Sequence, residues 1–103
     1  MQQELHDVIS ADHAALPGHF PGHPVVPAVV ILNRVRKALA TWQKALSITR
    51  ISRAKFVAVL SPDENFKITL SSADLKKFSF VCRKENGVQF AHGEFLAGLK
   101  ENA

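Results

Sequence analysis

Leu16-Pro-Gly-His-Phe-Pro-Gly-His-Pro-Val-Val-Pro-Ala-Val-Val-Ile-Leu-Asn-Arg34 holds four of the chain's five prolines and two of its five histidines, then runs into an apolar stretch. Pro17, Pro21, Pro24 and Pro27 each fix φ at about −65° and donate no backbone N–H. Gly18 and Gly22 allow backbone angles that other residues resist. Such a segment is neither helix nor central strand; it reads as a stiff, kinked loop presenting His19 and His23. Behind it, Ala28-Val-Val-Ile-Leu32 is apolar on every side, which predicts a helix whose first turns are buried all round. From about Val26 to Lys44 the spacing is helical, with Val29, Leu32, Val35, Leu39 and Trp42 at three- and four-residue steps. Pro27 suits the first turn, where a missing N–H costs nothing. Arg34, Arg36, Lys37 and Lys44 lie toward the end, where cations complement the helix dipole.

Outward from this helix the period changes to two. Residues 2 to 9 alternate loosely and predict a first strand. Ile48, Arg50 and Ser52 are expected on one face of the next strand, with Thr49, Ile51 and Arg53 on the other, and the strand should continue through Ala54 to Leu60. Ser61-Pro-Asp-Glu64 predicts a turn. Phe66, Ile68 and Leu70 mark a strand, and Ser71-Ser-Ala-Asp74 a turn. Phe78, Phe80 and Cys82 mark a further strand. Asn86-Gly87 signals a hairpin, followed by a strand from Val88 to about Leu99 in which Phe90, His92 and Glu94 alternate with Gln89, Ala91, Gly93 and Phe95. Antiparallel strands with one early buried helix give an α+β class, and 103 residues make a single domain, 1–103, with a small core.

Composition narrows the function. With 47% hydrophobic and 21% charged residues the chain is globular, and no run approaches the roughly 18 apolar residues of a membrane span. The first residues lack the basic-then-apolar pattern of a secretory signal. Cys82 is the single cysteine, so it forms no internal disulfide, reads as a buried hydrophobe, and suits a reducing cytoplasm. The formal charge of +4 is carried by scattered residues without a nucleic-acid motif. It suits an acidic protein partner as well as it suits a solvated surface. Pro21 separates His19 from His23 and prevents a helical metal pair, so neither a metal nor another cofactor is expected.

Gly18-His-Phe-Pro-Gly-His-Pro-Val-Val-Pro-Ala-Val-Val-Ile-Leu32 resembles the signature of the hot-dog-fold 3-hydroxyacyl-[acyl-carrier-protein] dehydratases. In that family a similar His-Phe-Pro-x-His-Pro run precedes a central helix wrapped by a curved sheet. The segment from Arg53 to Thr69 is similar to the family's later strand-turn-strand with Pro-Gly-Asp at the turn. The short form of the chain resembles the branch found in aryl-polyene and type II polyketide clusters. Ala28 stands where the family usually has Gly, and Asn33 where it has Glu or Asp.

The resemblance implies dehydration of a 3-hydroxyacyl thioester on a carrier protein. His19 aligns with the base, and an ordinary imidazole, titrating near 6.5, suits the task. Backbone N–H groups near Ala28 would polarise the thioester carbonyl. Phe20, Gly22, Val26, Pro27, Ala28 and Val29 are the candidate substrate contacts. Arg34, Arg36 and Arg53 are candidate contacts for the carrier protein or its phosphopantetheine phosphate. Asn33 can hydrogen-bond a hydroxyl or a water but cannot act as an acid. That leaves open a thioesterase, or an acyl- or carrier-binding subunit of impaired activity. Family members pair as dimers in which the His and the carboxylate come from different subunits, which implies a homodimer or heterodimer of hot-dog subunits.

Overall fold

The computed structural model describes residues 1–12 and 25–100. Strand β1 (Gln2–Asp7) is followed by helix α1 (Ala28–Trp42), and then by β2 (Leu46–Phe56), β3 (Phe66–Ser72), β4 (Lys77–Lys84) and β5 (Gln89–Leu99). The strands form one antiparallel sheet in the order β1-β3-β4-β5-β2, so β1 and β2 are its edges. Helix α1 lies across one face. Its Val30, Ile31, Val35, Ala38 and Leu39 are buried against Phe66, Ile68 and Leu70 of β3 and the inward residues of β4 and β5. Phe78 anchors this core, stacked on Phe95 at 5.1 Å and meeting Trp42 edge-on at 6.0 Å. Aromatic pairs of this kind add about 0.5–1.5 kcal/mol beyond the area they bury.

Strands β3 and β4 alternate as their sequences predict, with Phe66, Ile68, Leu70, Phe78, Phe80 and Cys82 all inward. Strands β2 and β5 depart from simple alternation. Register shifts in β2 between Ile48 and Arg50, and again between Ile51 and Arg53, leave Thr49 and Ser52 as extra residues. Ile48, Ile51 and Ala54 therefore share the inner side, while Arg50, Arg53 and Lys55 face out, which corrects the expected pairing of Ile48 with Arg50. A shift between Cys82 and Arg83 likewise makes Phe90 the extra residue of β5. Phe90 is buried together with Ala91 instead of facing His92's side. Bulges bend the strand that carries them and raise its twist, so the irregular positions are what curve the sheet over the helix.

The helix start differs from expectation as well. Val26 and Val30 are buried, but Ala28 is exposed and Val29 is 61% exposed. A single sheet covers one side of a helix, and Val29 lies on the other. Strand β2 ends at Phe56 instead of continuing to Leu60. The turn before β3 places Asp63 at φ 63°, in the left-handed region where the family pattern has glycine. Asp63 is held there by its N–H to the Ile9 carbonyl, 2.8 Å, and by its carboxylate to the Ala11 N–H, 3.1 Å. Ile9 is fully buried, so this turn ties the chain after β1 to the core.

Candidate active site

The start of α1 is where backbone polarity meets apolar surface. Pro27 is the N-cap, extended at φ −63° and ψ 149°. Its carbonyl accepts from the N–H groups of Val30 and Ile31 at 3.0 and 3.3 Å. One residue earlier, the Val26 N–H donates to the Leu60 carbonyl at 2.8 Å, pinning the entry of the helix to the segment that leaves β2. Among the described residues, no side chain caps the first turn, and no acidic residue lies in it. The positive end of the helix dipole is thus left unneutralised by the described side chains, a ready partner for an oxygen that gains negative charge.

Beside this turn is a groove of about 370 Å³ lined by Val26, Ala28, Ile31 and the run Phe56–Leu60. Val57 and Val59 are 59% and 55% exposed there. These groove residues from Phe56 to Leu60 were missed as site residues. The signal was available: five apolar residues in succession do not fit a strand with one solvated face. A larger cleft, about 600 Å³, lies across the ends of β1, β3 and β4. It is lined mainly by polar side chains such as His6, Asp7, Lys67 and Arg83, and the helix start takes no part in it.

His19, Phe20 and Gly22 lie outside the described residues, as do His13 and His23. Of the other candidates, Val26 and Ala28 line the groove, Pro27 sets the turn between them, and Val29 points away from the core. Asn33 is exposed on α1, four residues after Val29 and so on the same helical face. The three arginines do not form one patch. The Arg34 guanidinium donates to the Asp7 carboxylate at 3.0 Å, bracing the helix against edge strand β1. Arg53 lies on the opposite edge strand, bound to Glu94 at 2.9 Å. Arg36 is exposed on the helix. Cys82 is fully buried, and burial pushes its thiol up to about 12, so it remains a protonated core residue at neutral pH.

The family model for the ApeI-like group, described as ApeI dehydratase, matches residues 2–94. The chain belongs to the ApeI-like dehydratase family. Among curated proteins similar to this chain, the 3-hydroxyacyl-[acyl-carrier-protein] dehydratase FabZ of Myxococcus xanthus is 28% identical over 93 residues, covering 78% of this chain and 61% of the relative. The first relatives matched are spanned for only 52% to 64% of their own length. Among solved structures, the dehydratase heterocomplex ApeI:P from Xenorhabdus doucetiae superposes with a TM-score of 0.80 at 17% identity, covering 93% of this chain and 86% of that one. The fold is the hot-dog fold of these neighbours. It is shared with a 1,4-dihydroxy-2-naphthoyl-CoA thioesterase from Synechocystis, at a TM-score of 0.65 and 10% identity over 98% of this chain and 85% of that one.

Proposed function

We propose that this chain dehydrates a 3-hydroxyacyl thioester, carried on the phosphopantetheine arm of an acyl carrier protein, to the trans-2-enoyl thioester. The setting would be fatty-acid or aryl-polyene synthesis. The reading is carried by the uncapped start of α1 opening on an apolar groove, in a chain of a dehydratase family. In this mechanism His19 removes the C2 proton. The C–H electron pair becomes the C2–C3 double bond, and the C3–O bond breaks with its electrons on the departing oxygen. Backbone N–H groups at Ala28 and Val29 meet the thioester oxygen as it gains negative charge. The acyl chain lies against the valines of the groove.

Asn33 cannot protonate the leaving hydroxyl, so in a pair of identical subunits the proton returns from His19, with the amide orienting the hydroxyl or a water. The FabZ relative's name specifies a carrier-bound substrate. The structural neighbour is a heterocomplex, which supports a working unit of two hot-dog subunits here. A partner with a carboxylate at the position of Asn33 would complete one site with this chain's His19.

A thioesterase reading draws on the shared fold and on an amide in place of the carboxylate. One experiment separates the readings. Incubation with a short 3-hydroxyacyl-carrier protein, followed by intact-mass spectrometry, should show loss of one water with the thioester intact. Release of free thiol would establish the hydrolase. An unchanged substrate mass, with this chain alone and with its cognate hot-dog subunit, would leave a binding subunit.

A further inference from the structure

The two ends of the histidine-bearing stretch are fastened to one short turn. Ahead of the stretch, the Asp63 N–H donates to the Ile9 carbonyl at 2.8 Å, and the Ala11 N–H donates to the Asp63 carboxylate at 3.1 Å. Behind it, the Val26 N–H donates to the Leu60 carbonyl at 2.8 Å. Residues 12–25, whose sequence includes His13, His19 and His23, therefore begin and end beside the same segment, Leu60 to Asp63. That segment is held independently of the stretch. Leu60 is buried, and so is Ile9. The Glu64 N–H donates to the Ser61 carbonyl at 3.3 Å, and the Glu64 carboxylate accepts from the Ser61 N–H at 3.1 Å. The same carboxylate pairs with Lys84 of β4 at 3.6 Å. Pro62 presets φ at the second position of the turn. The turn is a fixed point from which both roots hang.

Asp63 stands at the third position of the turn with φ 63°. Glycine takes such an angle freely; a side chain is disfavoured there, Asp and Asn less than most. A turn that needed only the angle would be served best by glycine. What the aspartate adds is its carboxylate, and among the described residues that group bonds to the Ala11 N–H at the root of the histidine-bearing stretch. The backbone bonds to Ile9 and Val26 do not depend on which side chain stands at 63. The bond to Ala11 does.

We infer that Asp63 is a positioning residue. Through Ala11 its carboxylate fixes where the histidine-bearing stretch departs relative to the helix start, which Val26 ties to the same turn, and so sets the approach of His19 to the thioester. It touches no substrate. The inference rests on the proposed dehydration for the task of His19, and its test includes a measurement that needs no turnover.

The experiment compares wild type, Asp63→Gly and Asp63→Asn, each with the cognate hot-dog subunit where one is required. Glycine keeps the angle and loses the acceptor; asparagine keeps an acceptor oxygen at the same reach. Hydrogen exchange followed by NMR should show the Ala11 amide exchanging about tenfold or more faster in Asp63→Gly than in wild type, with the amides of β3 and β4 unchanged. With a 3-hydroxyacyl-carrier substrate, kcat of Asp63→Gly should fall about tenfold or more while KM stays within about twofold, because misplacing a reacting group costs rate more than binding. Asp63→Asn should restore kcat to within about threefold of wild type. Wild-type kcat in Asp63→Gly overturns the inference, as does an Ala11 amide that exchanges there at the wild-type rate. An Asp63→Asn as slow as Asp63→Gly overturns it as well, and so does an Asp63→Gly that circular dichroism shows unfolded, since the carboxylate would then hold the whole domain. If wild type eliminates no water, the proposed reaction fails by itself, and Ala11 exchange alone decides whether Asp63 is an anchor.

Discussion

Replacing Gly93 by alanine tests whether the curvature of the sheet depends on the close contact between β5 and the bulged edge strand. Gly93 is buried between Ala54 of β2 and Phe80 of β4. A Cβ at this position would overlap the Arg53 carbonyl oxygen and lie 2.7 and 2.8 Å from two carbons of the Phe80 ring. Carbon atoms prefer about 3.5–4.0 Å, so the ring or the strand must retreat by roughly 1 Å. Phe80 is 1% exposed and packed against Phe95, with ring centroids 6.3 Å apart. The carbonyl belongs to the backbone of β2. Neither can yield cheaply. Overpacking costs about 1–3 kcal/mol, and weakening one or two ladder hydrogen bonds adds about 1 kcal/mol each. The sum is about 2–5 kcal/mol. For a domain of this size that lowers Tm by at least about 8 °C. Gly98→Ala is the control, because its Cβ would meet only the Thr49 methyl at 3.3 Å, and its stability should change by less than about 1 kcal/mol. Urea titrations and thermal melts of the two variants give the comparison. Equal midpoints for Gly93→Ala and wild type would refute the packing argument.

Three further outcomes follow from particular residues. Asn33→Asp introduces a carboxylate at an exposed helical position, so stability should move by no more than about 0.5 kcal/mol. Dehydration of a 3-hydroxyacyl-carrier substrate should rise about tenfold or more as an acid becomes available; unchanged or lower turnover in a mass-spectrometric assay would show that the position has another use. Cys82 should resist a thiol reagent at pH 8 in the folded protein and react at once in denaturant, since burial holds the thiol protonated; fast labelling of the native protein would contradict its placement. The β3–β4 turn, which holds Leu75 at φ 60°, is knit by Asp74, whose carboxylate accepts the Lys77 and Lys76 N–H groups at 3.0 and 2.9 Å. Those bonds stabilise the carboxylate and hold its pKa below the ordinary carboxylate value. The stability they confer is therefore complete above about pH 4 and lost as pH falls through the lower folded value. Acid unfolding followed by circular dichroism should show a flatter profile for Asp74→Asn; an unaltered profile would contradict the linkage.

Much of the architecture was legible because it depends on periodicity. The three- and four-residue spacing of Val35, Leu39 and Trp42 located the helix, and the strict parity of Phe66, Ile68 and Leu70 located β3 with its inward face. Strands β2 and β5 were legible as strands but not in phase. A bulge inserts one residue without a local sequence mark, and two of them turn Ile48 and Ile51 to the same side. The helix start was misjudged for a related reason. Hydrophobicity at Val29 says that the residue is stabilised by cover, but not whether the cover comes from its own chain. Val29 at 61% exposure, like Val57 and Val59, marks surface that this sheet does not reach. At the site, the proline-punctuated motif pointed to the dehydratase family, whose model matches residues 2–94, and to the helix that follows it. It could not foretell that Arg34 is committed to Asp7, because that contact depends on how the helix crosses the edge strand.

The proposed dehydration turns on the His19 imidazole removing a proton from a thioester docked at the start of α1. The direct measurement is intact-mass analysis of a 3-hydroxyacyl-carrier protein incubated with wild-type chain and with His19→Ala, each with its cognate hot-dog subunit where one is required and each verified as folded. Wild type should convert the substrate to the species one water lighter, and His19→Ala should lower that rate by at least about a hundredfold. Water loss at the wild-type rate from His19→Ala would show that this imidazole is not the base.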